Sequence, residues 1–195
     1  MPENGHIKQL LAEIGLHDSQ VAYKQLFLLL HKPLCRFAWS ILKSNDDAQE
    51  VVSDVFIGIW EKRHRLTSIE SPLLYFYTSV KNHSLNRIAR EKRQQTVAPE
   101  EWFVQLNSVY FDPEKLMMTD EIIRQVKQAI YDLPPRCRLV FKLVKEDGLK
   151  YREVAELLQL SAKTVEAQMA IALRRIGKCM HLDITTRHPN SSIKK

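Results

Sequence analysis

Side chains that could catalyse a reaction or bind a metal occur in this sequence only in incomplete sets. The sequence has no H-E-x-x-H, G-x-S-x-G or Walker phosphate-binding motif. His31 and Cys35, one helical turn apart, supply only part of the ligand set that a zinc site needs. The other cysteines, Cys137 and Cys179, lie far apart in sequence, so neither a disulfide framework nor a thiolate metal site is indicated. We therefore expect no enzyme, no metal site, no cofactor and no small-molecule substrate.

The composition favours a helical protein with a polyanionic partner. Of the 195 residues, 45% are hydrophobic, which is enough to fill the core of one domain or of two small ones. Only five glycines occur, which leaves few of the tight turns that a β-rich fold needs. The net charge of +6 agrees with a nucleic-acid partner without requiring one. We therefore predict an all-α fold.

The distribution of apolar residues indicates neither export nor membrane insertion. The longest apolar run, Leu26–Leu30, is far shorter than the about 20 residues that span a bilayer. Residues 1–6 lack the basic start and the apolar core of a signal peptide. We expect a cytoplasmic protein.

Two amphipathic helices separated by three residues are predicted in the C-terminal third of the chain. The first covers Tyr151–Leu158, and Gln159-Leu160-Ser161 has the length of an interhelical turn. Ser161 can cap the next helix, and Gln159 stands where a left-handed conformation is needed. The second helix has a regular apolar stripe of Val165, Met169, Ala172 and Ile176. This spacing predicts a helix-turn-helix, whose second helix would enter the major groove of DNA.

The apolar stripe of the second helix turns a set of polar side chains outward. The candidate base-contacting residues are Lys163, Thr164, Glu166, Ala167 and Gln168. Arg174 and Arg175, farther along the helix, suit phosphates, and Lys150 and Tyr151 at the start of the first helix complete the DNA-binding set. Two helices joined in this way are also common as structural hairpins that bind no DNA. The choice between these two interpretations therefore depends on the rest of the chain.

Three helices are predicted in the N-terminal half. Apolar spacing predicts a helix over His17–Leu42, bent near Pro33. A second helix runs through Lys62, and Ser44–Asp47 supplies its N-cap candidates and the acidic residues of its first turn. A polar loop over Glu61–Ser71 precedes a third helix from Leu73 to about Arg93.

The end of the third helix is suited to nucleic acid. Between Lys81 and Arg93 there are five basic side chains against one acidic side chain. Asparagine offers both donors and an acceptor to a base edge, and basic residues on the same helix could neutralise phosphates. The predicted set is Asn82, Asn86, Arg87, Arg90, Lys92 and Arg93. Tyr75 and Phe76 could stack on unpaired bases or could belong to the core.

Gln94–Glu121 reverses this charge, with six acidic side chains against one lysine, two prolines and weak periodicity. We interpret this stretch of about 28 residues as a flexible acidic linker, which could extend to roughly 90 Å. The tail from Thr185 is polar, and we expect it to be disordered.

Three runs of sequence resemble extracytoplasmic-function (ECF) sigma factors of the sigma-70 family. Asp147–Glu166, with the preceding Leu133–Arg136, resembles the promoter-binding C-terminal domain of these factors. Asp47–Phe56, with Trp60, resembles their core-polymerase-binding helix, and Tyr75–Asn82 resembles their promoter-melting helix. The resemblance covers about residues 17–180, in the same order and spacing. The motifs are rich in Lys, Asn and Gln, and in this they resemble factors of Bacteroidetes type.

The resemblance implies two small helical domains, an N-terminal bundle and a C-terminal helix-turn-helix bundle. Their expected limits are residues 1–95 and 121–184, with the linker over 96–120 and the tail over 185–195. The first domain would bind the clamp helices of the largest polymerase subunit and capture the −10 strand, and the second would read the −35 element near the polymerase flap. The resemblance also implies promoter DNA and a membrane-anchored anti-sigma factor as partners.

Some residue roles follow from the resemblance alone. The positions that match the polymerase-facing helix are Glu50, Ser53, Asp54, Ile57 and Trp60. Asn82 and Asn86 match positions that lie near a flipped-out base of the −10 strand. Glu166 and Ala167 depart from the family pattern, so the promoter sequence does not transfer.

Two other classes of function agree with part of the sequence. A regulator of the response-regulator output type has a similar helix-turn-helix but needs a sensor or dimerisation domain, which the N-terminal half does not resemble. A helical protein-interaction adaptor would leave the concentration of basic residues on two helices unexplained.

Overall fold

The computed structural model describes residues 4–92 and 121–179, with the side chains of 91, 92, 121–123 and 179 left aside. These two stretches are helical and contain no strand. The helices are α1 (Asn4–His17), α2 (Gln20–Leu42), α3 (Asn45–Glu61), a 3₁₀ helix (Arg63–Ser68), α4 (Pro72–Lys92), α5 (Glu121–Tyr131), α6 (Pro135–Lys145), α7 (Tyr151–Leu158) and α8 (Ala162–Cys179). The predicted all-α fold is confirmed.

Local capping determines where α2 and α3 begin. The Ser19 hydroxyl accepts a hydrogen bond from the Ala22 amide at 3.2 Å, and Ser44 does the same for Asp47 at 3.3 Å. Between the two helices Lys43 adopts a left-handed conformation, with φ 60°, and its amide donates to the Trp39 carbonyl. The predicted capping of α3 is confirmed, and α2 continues through Pro33 as one helix.

The N-terminal bundle contains two elements that differ from the sequence-based expectation. The helix α1 precedes the predicted start at His17, and the predicted polar loop holds the 3₁₀ helix. These two elements pack against each other, with Gly15 facing the Arg63 carbonyl so closely that a β-carbon would lie 2.7 Å from the oxygen. An ion pair between Asp18 and Arg63 and a 3.3 Å contact between His64 Nδ1 and the Gly15 carbonyl complete the contact.

The C-terminal helices form the predicted helix-turn-helix. α7 ends at Leu158, and Gln159 adopts the expected left-handed conformation with φ 55°. The apolar stripe of α8 predicted from the sequence is buried, and Ala172 and Ile176 pack with Leu133 and Cys137 in a cluster under α5.

The two helical groups contact each other. Buried residues of α2 and α4, such as Phe37 and Tyr77, belong to the same continuous apolar cluster as Leu157 and Leu158 of α7. α4 packs directly against α7. One apolar cluster of the described residues therefore crosses the predicted domain boundary, whereas the cluster under α5 lies within the C-terminal group.

The predicted linker over 96–120 and tail over 185–195 lie outside the described residues, and the domain limits stay predictions. None of the described helices is long and apolar enough to cross a membrane.

Candidate functional surfaces

The outward face of α3 carries three exposed side chains at helical spacing. Glu50, Asp54 and Ile57 are exposed, and they follow the i, i+4, i+7 pattern of one helical face. Ile57 keeps 55% of its surface exposed. Ser53 is half-buried and its hydroxyl donates to the Gln49 carbonyl at 2.8 Å. The face combines two carboxylates with an apolar side chain, a pattern suited to a protein partner.

Trp60, at the end of the same face, is partly covered by neighbours. Its ring lies 5.1 Å from the ring of Tyr23 in an edge-on arrangement. The Arg63 guanidinium lies 4.8 Å from the ring centroid and also donates to the Trp60 carbonyl at 3.0 Å. Trp60 therefore both contributes to the packing of the bundle and borders the exposed face.

One face of α4 carries an exposed aromatic ring and polar side chains. Tyr75, Asn82, Asn86 and Arg90 are exposed and lie along one stripe of the helix. Phe76, by contrast, is fully buried against Phe56. An aromatic ring followed by amides and a guanidinium can stack on unpaired bases, bond to their edges and neutralise phosphates. Of the other predicted residues, the Lys92 side chain and Arg93 lie outside the described parts of the chain.

Arg87, which was expected to contact phosphate, forms ion pairs within the protein instead. Its guanidinium lies 2.5 Å from the Asp47 carboxylate and 2.7 Å from the Glu50 carboxylate, both on α3. The predicted phosphate contact therefore competes with an intramolecular ion pair. Because Glu50 lies on the exposed face of α3, Arg87 links that face to α4.

The N-terminal end of α8 is organised by Ser161. Its hydroxyl accepts from the Thr164 amide at 3.0 Å and lies 2.8 Å from the Thr164 hydroxyl. The predicted cap is confirmed, and the Thr164 hydroxyl is engaged in it. The exposed predicted residues of α8 are Lys163, Glu166, Ala167, Arg174 and Arg175, whereas Gln168 is half-buried.

The residues predicted at the start of α7 differ in exposure. Lys150 is exposed, and its amide donates to the Glu153 carboxylate at 2.8 Å. Tyr151 is half-buried and packs against the apolar core.

His31 and Cys35 contact each other without a further ligand. The Cys35 sulfur lies 3.5 Å from His31 Nε2, and burial raises the pKa of the thiol to about 11. A metal ligand must be a thiolate, which this environment disfavours. Among the described residues no three His, Cys, Asp or Glu side chains come together as a metal site.

Two charged contacts were not predicted from the sequence, one between α4 and α7 and another between α2 and the turn before α7. The Lys81 ammonium donates to the Leu157 carbonyl at 3.0 Å, and Arg36 lies 3.8 Å from Asp147. Lys81 and Asp147 are both buried. Charged residues are rarely buried without partners, but a single sequence does not show which lysine or aspartate is buried.

Comparison with known proteins identifies the family. Residues 26–94 match the family model described as "Sigma-70 region 2", and residues 123–176 match "Sigma-70, region 4". The chain belongs to the sigma-70 family. It is a sigma factor of the ECF type, which binds core RNA polymerase and directs promoter-specific transcription initiation.

Curated relatives match this sigma factor over most of its length. The "RNA polymerase sigma-H factor" of Pseudomonas aeruginosa is 26% identical over 180 residues, which cover 89% of this chain and 93% of the relative. The "ECF RNA polymerase sigma factor SigK" of Mycobacterium bovis is 22% identical over 177 residues, covering 88% and 91%.

Two solved structures have similar helices. RpoE of Bartonella quintana, solved with the anti-sigma factor NepR, gives a TM-score of 0.49 at 22% identity, covering 83% of this chain and 98% of that one. CnrH, solved with the cytosolic domain of CnrY, gives a TM-score of 0.49 at 20% identity, covering 91% and 99%.

Proposed function

We propose that the sigma factor uses three surfaces for its three tasks. The exposed face of α3, with Glu50, Asp54 and Ile57, binds the clamp helices of core polymerase. The stripe of α4 with Asn82 and Asn86 captures the unpaired −10 strand. The exposed side chains of α8 read the −35 element in the major groove, close to the polymerase flap.

The observation that carries this assignment is the separation of the α3 and α4 faces within one bundle. The polymerase-binding candidates and the strand-binding candidates are exposed on neighbouring helices that pack together. A bundle held on polymerase by α3 would therefore present α4 at a constant position for strand capture. Promoter melting needs such single-strand capture. The free energy lost when base pairs open must be offset by stacking and hydrogen bonds between the unpaired bases and the protein.

The DNA contacts on α8 divide by chemistry. Lys163 at the start of the helix suits a guanine edge, and Glu166 one turn later can accept from cytosine. Arg174 and Arg175 lie farther along and suit phosphates, as Arg90 does on α4. Lys150 and Tyr151, at the start of α7, are the further candidates for this DNA contact, and of the two only Lys150 is exposed.

Further parts of the proposal rest on family membership. We infer that the protein acts in the cytoplasm, that it catalyses no reaction itself, and that a membrane-anchored anti-sigma factor controls it. Co-purification with a candidate anti-sigma protein would support the last point, and normal activity in its presence would contradict it.

Reconstitution with purified core polymerase tests the proposed surfaces. Asp54→Ala should weaken core binding measured by fluorescence anisotropy, because it removes a carboxylate from the α3 face. Glu70→Ala, a change of an exposed carboxylate outside α3, is the matched control. Equal affinities of the two variants for core would contradict the assignment of α3.

Strand capture is tested separately on the same holoenzyme. Asn82→Ala should leave core binding unchanged and reduce open complexes, detected by permanganate reactivity of unpaired thymines. His83→Ala changes the adjacent exposed residue and should behave as the wild type. Normal permanganate reactivity with Asn82→Ala would contradict the role of α4.

A further inference from the structure

The half-buried Trp60 ring is contacted by side chains from two other elements of the bundle. Tyr23 of α2 lies edge-on to it at 5.1 Å between ring centroids, and the Tyr23 hydroxyl donates to the Phe56 carbonyl at 2.9 Å. Arg63, the first residue of the 3₁₀ helix, places its guanidinium 4.8 Å from the ring centroid. The ring is therefore bounded by a second aromatic ring, which is itself hydrogen-bonded, and by a cation.

The Arg63 guanidinium also makes two polar contacts that fix its own position. Its Nη1 donates to the Trp60 carbonyl at 3.0 Å, at the end of α3 where the helix dipole favours a cation. Its Nε donates to the carboxylate of Asp18, which lies in the turn between α1 and α2. This hydrogen bond holds the pKa of the Asp18 carboxyl below its ordinary value. One guanidinium thus joins the turn after α1 to the end of α3.

The main chain around Asp18 and Arg63 is held by contacts of its own. Asp18 adopts a left-handed conformation with φ 50°, and its amide donates to the Ile14 carbonyl at 3.1 Å. Gly15 packs closely against the Arg63 carbonyl, and His64 Nδ1 lies 3.3 Å from the Gly15 carbonyl. The Asp18 carboxylate is therefore presented to Arg63 at a defined place, although the two residues are 45 positions apart in sequence.

We propose that Asp18 and Arg63 are positioning residues for the binding of core polymerase. Asp18 orients the Arg63 guanidinium, and the guanidinium holds the Trp60 ring in one orientation at the end of the α3 face. A side chain that is already held in one orientation loses less conformational entropy when a partner binds it. This inference rests on the proposed binding of the α3 face to polymerase.

Four single changes in the full chain separate the parts of this arrangement. Arg63→Gln removes the cation, and Asp18→Gly removes the carboxylate while keeping the turn, because glycine adopts positive φ without strain. Asp18→Asn is the conservative variant, since its amide oxygen can still accept from Arg63 and asparagine tolerates the left-handed conformation. Arg65→Gln changes an exposed arginine of the same 3₁₀ helix and is the control.

The fluorescence of Trp60 gives the first readout. The sequence has three tryptophans, so the background changes Trp39→Phe and Trp102→Phe leave Trp60 as the only emitter. Arg63→Gln and Asp18→Gly should make the ring more accessible to acrylamide and lower its fluorescence anisotropy, whereas the conservative variant and the control should match the parent. Unchanged quenching and anisotropy in Arg63→Gln or in Asp18→Gly would overturn the positioning role of that residue.

Affinity for purified core polymerase gives the second readout, measured well below the unfolding temperature of each variant. Arg63→Gln should weaken core binding about fivefold when Trp60 is present. In a Trp60→Ala background the same change should have no further effect, because it acts through the ring. Equal losses in the two backgrounds would show that Arg63 acts independently of Trp60 and would overturn the proposal.

The Trp60→Ala background also separates this inference from the proposed function. If Trp60→Ala binds core as tightly as the wild type, Trp60 has no part in polymerase binding and the positioning proposal falls with it. The assignment of the α3 face is tested independently by Asp54→Ala, so weaker core binding by that variant would keep the proposed function.

Discussion

The Arg87 guanidinium on α4 lies 2.7 Å from the Glu50 carboxylate on α3, so a residue expected to contact DNA is paired with one expected to contact polymerase. Asp47 accepts from the same guanidinium. We interpret Arg87 as a positioning residue that sets the relation of α3 to α4. This interpretation predicts different consequences for Arg87 and for Arg90, which is exposed on the same helix.

Arg87→Gln should destabilise the free protein. The three side chains are partly exposed, so the loss should be about 1 kcal/mol in the free energy of unfolding. Urea unfolding measures this loss, and a double-mutant cycle with Glu50→Gln should give a coupling of about 0.5 kcal/mol. Additive single changes would contradict the pairing.

Arg90→Gln should act on DNA binding instead. If Arg90 neutralises a phosphate, its loss should lower the slope of log affinity against log salt by about 0.7 to 0.9, whereas Arg87→Gln should leave the slope unchanged. Titration of holoenzyme with promoter DNA at several salt concentrations gives both slopes. A reduced slope for Arg87→Gln would show that the ion pair with α3 breaks when DNA binds.

The exposed residues of α8 should separate base reading from phosphate binding. Glu166→Gln should change the preferred base at one −35 position, with discrimination of about 1 to 3 kcal/mol, because an amide can donate where a carboxylate only accepts. Selection of holoenzyme-bound duplexes from a pool randomised at −35 measures this preference. Arg174→Gln is the comparison, because it should weaken binding to all sequences alike.

The features that could be predicted from the sequence are those determined by residues within a single helix or turn. The apolar stripe of α8, the cap at Ser161 and the left-handed Gln159 follow from periodicity and from preferences of single residues, and all are present. Predicted helix ends differ from the observed ones by only a few residues, except at α1. The buried Ile7, Leu10, Leu11 and Ile14 of α1 have helical spacing, so that signal was available in the sequence.

The relations between elements could not be predicted in this way. A basic residue on a helix can face DNA or a carboxylate on the next helix, and nothing within α4 distinguishes Arg87 from Arg90. The burial of Lys81 and Asp147 depends on how two groups of helices dock, which periodicity within a helix does not encode. The exposure of Ile57 likewise makes it a candidate for binding polymerase, and that role stays a prediction.

The contact between α1 and the 3₁₀ helix should be sensitive to one methyl group. A β-carbon on Gly15 would lie 2.7 Å from the Arg63 carbonyl oxygen, so Gly15→Ala should destabilise the protein by about 1 to 3 kcal/mol through overpacking. Gly58, inside α3, has open space at the same position. Gly58→Ala should therefore stabilise the protein by about 0.5 to 1 kcal/mol, because alanine favours the helix. Thermal unfolding of both variants tests this, and equal effects would contradict the packing of α1.

The buried Asp147 should make stability depend on pH between about 4 and 6. Burial raises the pKa of its carboxyl from 3.8 to about 6, whereas Tyr77, Arg36 and Lys142 act to lower it and Glu146 to raise it. A raised pKa in the folded state means that the protonated form is favoured. The contribution of Asp147 to the free energy of unfolding is therefore complete below about pH 4. It is lost as the pH rises through 6, and the total loss is about 3 kcal/mol.

Asp147→Asn isolates this contribution, because the amide has a similar shape and does not titrate. The difference in free energy of unfolding between wild type and Asp147→Asn, from urea unfolding at several pH values, should change between about pH 4 and 6 and be constant above about pH 7. The shift should favour wild type at low pH, since burial then involves an uncharged carboxyl. A difference that does not vary with pH would mean that Asp147 is solvated in the folded protein.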